Sequence, residues 1–481
     1  MDEKSIEETT HIDHVMPNSS DVEHITTRHR QLLRKIDWRL LPLCAFIYLL
    51  NYLDRSNIGN ARILNAETGD SLEQQTGLTD AGYSITLTLF AIAYSLFDIP
   101  SNWVLKRYAR PSYWLGSLML CWGVVTLCFA RVDNIATVMA LRVLIGIFEA
   151  GFFPGMVYLI TFWYRQEERS IRIAFILATS TLAGAFGGCI SYGVGFINGA
   201  GGLEGFRWLF IIEGAVTVLV APLVIFALPD YPSTAKWLAP SEQRFAAERL
   251  EDNGGVPTRD RSSRQEILET ICSPRMVLHY TAYFTNNIAM SSVAYFSPTI
   301  VRGLGYSSIT AQLMTVPPWA VGYIISMLLA YSSDRFNARG LHVALAGLLT
   351  GTGFLVARLL PATAYLARYG CLIVASCGVF PSAAPLTSWV TCNTPSTRTL
   401  GLAAAMNNSM VGIGSIVALW IWRGSEEERG LPTGNAICAA AGFATAVIAV
   451  FLFLFYRKKN SMAMAGQEGV ERGERRRVWA L

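Results

Sequence analysis

The chain has 481 residues, of which 52% are hydrophobic and only 15% charged. That apolar content is too high for an ordinary soluble globule and implies a polytopic membrane protein. The formal net charge of +4 says little, because in membrane proteins the distribution of Lys and Arg among the loops matters more than their sum.

In chain order, residues 1–35 are polar, acid-containing and histidine-bearing, and read as a disordered cytoplasmic tail with no cleavable signal peptide. Spans of about 20 mostly apolar residues are then expected near 40–58, 84–105, 112–130, 135–160, 172–198 and 206–228. A polar linker occupies 229–273, with a helical stretch in "SEQRFAAERLE". Six further spans are expected near 276–300, 309–331, 341–360, 364–388, 399–421 and 435–456, before a basic cytoplasmic tail over 458–481. The predicted architecture is all-α: twelve transmembrane helices in two six-helix pseudo-symmetric bundles, 36–228 and 274–457, as in transporters built from repeats.

Basic residues cluster on one side of this pattern. Arg34, Lys35 and Arg39 precede the first span, Lys106, Arg107 and Arg110 follow the second, Arg165, Arg169 and Arg172 join the fourth to the fifth, and Arg457, Lys458 and Lys459 follow the twelfth. The loop "ILNAETGDSLEQQTGLTDAG" after the first span has acids and no Lys or Arg, so both termini are predicted cytoplasmic. The nine cysteines show no CxxC pair and read as small packing residues.

Four ionisable residues lie deep inside the first six spans: Asp54 and Arg55 in "NYLDRSNIGNAR", Arg142 and Glu149 in "MALRVLIGIFEAGFFPG". The last two are two helical turns apart, about 10.5 Å along the axis, and project from one face. Lipid would not tolerate either charge, so that face is predicted to look into the bundle. One reading is mutual neutralisation in structural ion pairs. The other is a coupling device. Arginine stays charged and matches a carboxylate in bidentate fashion, whereas a desolvated carboxyl can take up a proton near neutral pH. Protonated acids release their arginines to an anionic substrate, so that proton and anion favour each other's binding. Asp54 and Glu149 are the expected proton-coupling residues, Arg55 and Arg142 the expected substrate-binding ones. Glu213 in "FRWLFIIEGAV" and Asp98 in "SLFDIPSN" read as capping or interfacial charges outside the proton path.

The loop "LKRYAR" after the second span is echoed by "SDRFNAR" after the eighth. These loops resemble the G-x-x-x-D-R-x-x-R type motif of the major facilitator superfamily, with Lys106 departing from the pattern in the first copy. The resemblance implies gating latches at Arg107, Asp334, Arg335 and Arg339; ordinary positive-inside charge is the alternative. The strings "YLDRSNIGNAR", "LRVLIGIFEAGFFPG", "WYRQEERSIRIA", "TLAGAFGGCISY" and "GFRWLFIIEG" together resemble the anion:cation symporter branch of that superfamily, most of all the fungal allantoate and nicotinate permease group. That resemblance implies the major facilitator fold and proton-coupled uptake of small organic anions by alternating access. It assigns the carboxylate clamp and proton sites to positions matching Asp54, Arg55, Arg142 and Glu149.

A polar position on the eleventh helix contributes to substrate binding in such symporters, and "AAAMNNSMVGIG" supplies Asn407 and Asn408, of which one is expected to face the cavity. Tyr280, Tyr283, Asn287 and Ser291 share one face of the seventh helix, with Tyr283 and Asn287 as candidate substrate contacts and helix packing as the alternative. Pro and Gly interrupt spans at "EAGFFPG", "TVPPWAVGY" and "GVFPSAAP", where kinks can serve as hinges. Gly184 and Gly188, spaced as in GxxxG, read as close helix packing. The loop "LWIWRGSEEERGLPTGNA" departs from the pattern of fungal relatives and makes transfer of a particular substrate unsafe.

No nucleotide-binding Gly loop, metal-ligand spacing or nucleophile–His arrangement is present. The expectation is therefore a non-enzymatic transporter without cofactor, a monomer in the plasma membrane whose partners are protons, a small organic anion and the bilayer, with no nucleic acid. Efflux of a secondary metabolite by the same fold is the rival reading.

Overall fold

The computed structural model describes residues 19–251, 263–394, 399–465 and 479–480. Among the described residues all regular structure is helical, and eleven helices are long and apolar enough to cross a membrane. The membrane-length elements are α1 (Ser19–Ile63), α2 (Asp80–Tyr108), α3 (Pro111–Cys128), α4 (Ile135–Ala150 and Phe152–Thr161), α5 (Gln166–Gly195) and α6 (Gly205–Ala227). They continue as α7 (Pro274–Arg302), α8 (Ser308–Met314 and Val316–Phe336), α9 (Arg339–Leu359), α10 (Tyr365–Val379 and Ala383–Cys392), α11 (Leu400–Trp420) and α12 (Pro432–Ala465).

α7, which the sequence places near 276–300, is not among those eleven. Its 29 residues span about 43 Å at 1.5 Å per residue, yet it carries Asn286, Asn287, Ser291, Ser292 and Ser297, all buried. Polar groups that face other helices are satisfied there, so this helix need not be apolar throughout.

Helix starts follow from capping residues: Asn134 Oδ1 accepts from the Thr137 amide at 2.9 Å, and Thr79 Oγ1 from the Gly82 amide at 3.1 Å. The three Pro/Gly segments break their helices as expected, at Gly151, at Thr315 and over 380–382. Pro154, Pro317, Pro318 and Pro381 each lack the N–H that the preceding turn would use. The breaks in α4 and α10 fall at equivalent places in the two halves.

Packing repeats with a shift of six helices. α3 packs on α6 as α9 does on α12; α2 packs on α4 as α8 does on α10; α1 packs on α5 and α6 as α7 does on α11 and α12. Two bundles result, and buried apolar residues of both, among them Ile58, Tyr83 and Phe206 of the first and Val293, Phe296 and Trp319 of the second, belong to one continuous cluster.

The amino-terminal tail departs from expectation. Residues 19–35 are not an irregular tail but the first part of α1. The reason is an apolar stripe at i, i+4, i+8: Leu32, Ile36 and Leu40 are buried in the same cluster as Ala246 of the linker helix Pro240–Glu251. Lys35 pairs with Glu242 at 2.5 Å, and the Arg28 guanidinium lies over Phe245 at 4.9 Å.

The bundles meet at the end remote from the chain termini. Gly59 of α1 lies so close to α7 that a Cβ there would sit 2.7 Å from the Tyr295 carbonyl oxygen. Tyr83 donates its hydroxyl to the same carbonyl at 3.1 Å, Ser84 to the Leu419 carbonyl at 2.6 Å, and Gln312 its amide to the Asn60 carbonyl at 3.0 Å. Two acids of the first half cap backbone amides of the second: Glu67 accepts from Ser308 N at 2.6 Å and Asp80 from Gly424 N at 3.0 Å. Among the described residues, every hydrogen bond joining the bundles lies in this half of the molecule. The structure is therefore closed at the remote end.

Candidate substrate and proton site

Successive residues of an α-helix point about 100° apart, so Asp54 and Arg55 cannot face the same way. Arg55 lies one turn before Gly59, on the face that α1 turns towards α7. Its side chain retains 20% exposure, while its partner Glu149 retains none. Arg55 donates through Nε and Nη2 to one oxygen, Glu149 Oε2, at 3.2 and 3.1 Å. The guanidinium is also ringed by aromatics, 4.7 Å from the Tyr94 ring centre, 5.3 Å from Phe90 and 6.0 Å from Tyr52, a setting that favours a cation.

Arg142 is fully buried, as is Glu149. The two share a face of α4, and that face looks at Arg55. Glu149 holds the Arg55 guanidinium, and Arg142 Nη1 donates to the Arg55 carbonyl at 3.4 Å. Nε and Nη2 of Arg142 are buried with no partner, as is Oε1 of Glu149. Two buried donors and one buried acceptor thus stand open within one arginine–glutamate–arginine cluster. Such a cluster can take an anion at the cost of the internal pair.

Asp54 is elsewhere. It is 1% exposed and faces the interior of the first bundle, where Oδ2 accepts from Trp122 Nε1 of α3 and Thr217 Oγ1 of α6, each at 3.0 Å. The four charged positions therefore divide into a cluster that borders the bundle interface (Arg55, Arg142, Glu149) and a carboxyl behind it. Glu213 joins the second group. It is not a capping or interfacial charge: it lies within α6, 5% exposed, because an 18-residue-plus apolar helix buries whatever face meets α1 and α3.

In the second bundle, Asn407 is 4% exposed with Oδ1 unpartnered, and Asn408, a step further round α11, is exposed. Tyr283 is partly buried and its hydroxyl accepts from Thr387 Oγ1 of α10 at 3.3 Å. The Asn287 amide donates to the Val411 carbonyl at 2.6 Å and to Ser415 Oγ at 2.9 Å, so in this state it links α7 to α11. Tyr280 also packs, donating to the Thr270 carbonyl at 2.9 Å.

Of the motif residues, Arg107 and Arg335 are exposed, and Arg339 donates to Ser388 Oγ of α10 at 3.1 Å. The side chain of Asp334 lies outside the described residues. Sequence reading missed the aromatic ring around Arg55. Its signal was local spacing: Tyr52 lies three residues before Arg55, and Phe90 and Tyr94 are four apart on α2.

Two six-helix bundles, closed at one end around a buried arginine–glutamate cluster, define a polytopic membrane transporter. The family model described as Major Facilitator Superfamily matches residues 44–419. The chain is 47% identical to the MFS transporter prlL of Fungal sp. (strain NRRL 50135), over 92% of this chain and 89% of that one. It is 36% identical to the MFS-type transporter efuF of Hormonema carpetanum, over 80% and 76%. The chain belongs to the Major Facilitator Superfamily. Its fold matches a bacterial homologue of the human lysosomal transporter Spinster in an inward-facing, unoccupied conformation, with a TM-score of 0.64 at 16% identity over 86% of this chain and 95% of that one. It also matches a D-xylose–proton symporter, with a TM-score of 0.62 at 14% identity over 86% and 96%.

Proposed function

We propose that this transporter is a proton-coupled symporter that takes up a small organic carboxylate, such as a vitamin or nitrogen-source acid, by alternating access. The reading follows the resemblance to the anion:cation symporter branch and the fungal allantoate and nicotinate permease group. The observation that carries it is the Arg55–Glu149 pair beside the unsatisfied donors of Arg142. A proton on Glu149 cancels its hold on Arg55, and a substrate carboxylate then takes the place of Glu149 between the two guanidiniums. Asp54 is the second proton-coupling acid. Tyr283 and Asn408 contact the rest of the substrate from the second bundle.

The basic clusters near Arg34, Arg107, Arg165 and Arg457 support cytoplasmic termini; the plasma membrane is the proposed location. With that orientation the closed end faces outwards, and the state is inward-open. Arg107, Asp334, Arg335 and Arg339 then border the inner mouth and act as its latches. The protein works as a monomer without a cofactor.

The test is uptake of labelled carboxylic acids (nicotinate, allantoate, pantothenate, short hydroxy acids) into proteoliposomes with and without an inward proton gradient. Wild type is expected to accumulate at least one acid only with the gradient, and both Arg142→Ala and Glu149→Gln to lose that accumulation. No accumulation of any acid, by wild type and variants alike, overturns the reading in favour of efflux.

A further inference from the structure

Glu213 is a buried acid that the cluster at Arg55 does not use. It is the ninth residue of α6 (Gly205–Ala227), well inside the helix. Neither of its carboxyl oxygens meets a hydrogen-bond donor. One turn further along the same face, Thr217 gives its hydroxyl to Asp54 Oδ2, and Asp54 Oδ1 is likewise buried without a partner.

The elements around them place no cation in contact with either carboxyl. α3 presents Trp122 to Asp54 and has no acid or base along Pro111–Cys128. α5 carries none between Ile173 and Gly195. From α4, Glu149 pairs with Arg55 and not with this pair, and no ion pair within 4.0 Å reaches either carboxyl among the described residues. Two ionised carboxylates in one helical bundle, with no cation in contact, are mutually destabilising and each is costly alone. Two hydrogen-bond donors meet Asp54 and none meets Glu213. The ionised form therefore belongs on Asp54 and the protonated form on Glu213.

We propose that Glu213 is a proton-binding residue of the transport cycle, sharing the interior of the first bundle with Asp54 and set apart from the arginine cluster that meets the substrate. The pair titrates as a unit. Its link to the substrate runs through α1, where Asp54 and Arg55 are neighbours: a change of charge at Asp54 alters what the adjoining turn of α1 must satisfy. The consequence for transport rests on the symport reading above; the protonation itself does not.

The experiment is an infrared titration of the full chain in liposomes, in the absence of any substrate, following the carboxylic C=O band from acid to alkaline pH. Wild type is expected to keep a protonated carboxyl at neutral pH that Glu213→Gln removes, while Asp54→Asn shifts the pH at which it ionises. A wild-type band at neutral pH that persists unchanged in Glu213→Gln, or no such band in wild type, overturns the proposal. Glu213→Leu serves as a second variant if the amide proves unstable, and melting of each variant reports folding. Because no substrate is involved, loss of the band in Glu213→Gln together with absent acid uptake would sink the symport reading while leaving the protonation of Glu213 standing.

Discussion

Arg55 is held by two different kinds of contact, and a substitution can separate them. Lysine keeps the charge but not the planar fork that reaches Glu149 Oε2 through Nε and Nη2, nor the flat face against Tyr94, 4.7 Å away. For an acid that the wild type accumulates, Arg55→Lys is expected to raise the half-saturating concentration about tenfold, roughly 1.4 kcal/mol, with the protein still folded. An unchanged concentration dependence of uptake would show that the guanidinium does not grip the substrate. Arg142, buried with two unpartnered nitrogens, was legible in the sequence as a charge that lipid would reject. That Asp54 turns away from it was not, because the direction of a side chain is settled by which helix lies on each side of α1.

The GxxxG pair of α5 shows the same division between elements. Its spacing announces a close helix contact, but the contact is with α8 of the other bundle. A Cβ at Gly184 would fall 2.2 Å from the Trp319 ring, and one at Gly188 would fall 2.6 Å from Thr315 Oγ1 and 2.7 Å from the Gln312 carbonyl. The backbone carbonyl cannot step aside as a side-chain tip would, so Gly188→Val forces the helices apart at a cost of about 1–3 kcal/mol. The variant is expected to open the remote end: maleimide labelling of Ser84→Cys, at a site 5% exposed in this state, should accelerate by about tenfold for 1.4 kcal/mol of lost closure. Labelling at the wild-type rate, with the variant folded, would mean that this contact does not govern closure. The interrupted helices α4 and α10 are suited to the accompanying motion, since their turns are already short of backbone bonds.

At the scale of the molecule, the closed end joins polar contacts between the halves to one apolar cluster that both halves share. Glu67 and Asp80 both reach across from the first half to backbone amides of the second, while Asp80 also pairs with Arg62. The surrounding cavity, of about 200 Å³, is lined by Arg62, Glu73, Arg302, Arg423 and Glu427, in which the charges nearly balance. Each bond to a charged acceptor contributes on the order of 1 kcal/mol at such half-exposed positions. The combination Glu67→Ala and Asp80→Ala is therefore expected to raise the remotely open population by about tenfold. Spin labels at Gln75 and Ser425, both exposed on opposite halves, would report it as a new long-distance component. An identical distance distribution in variant and wild type would remove these acids from the gate.

Hydropathy, loop charge and Pro/Gly interruption by themselves determined that the protein is a helical membrane protein in two halves, and that Arg55, Arg142 and Glu149 are buried for a reason. These features are local: they depend on the cost of placing a charge or a broken backbone in lipid, wherever the neighbours lie. Tertiary structure decided what composition is blind to. It set the Asn287 amide against α11, brought Glu213 from a supposed helix end into the bundle interior, and folded residues 19–35 into α1 against the linker helix. Each of these outcomes depends on which partner helix covers a given face, and that is fixed only when the helices pack.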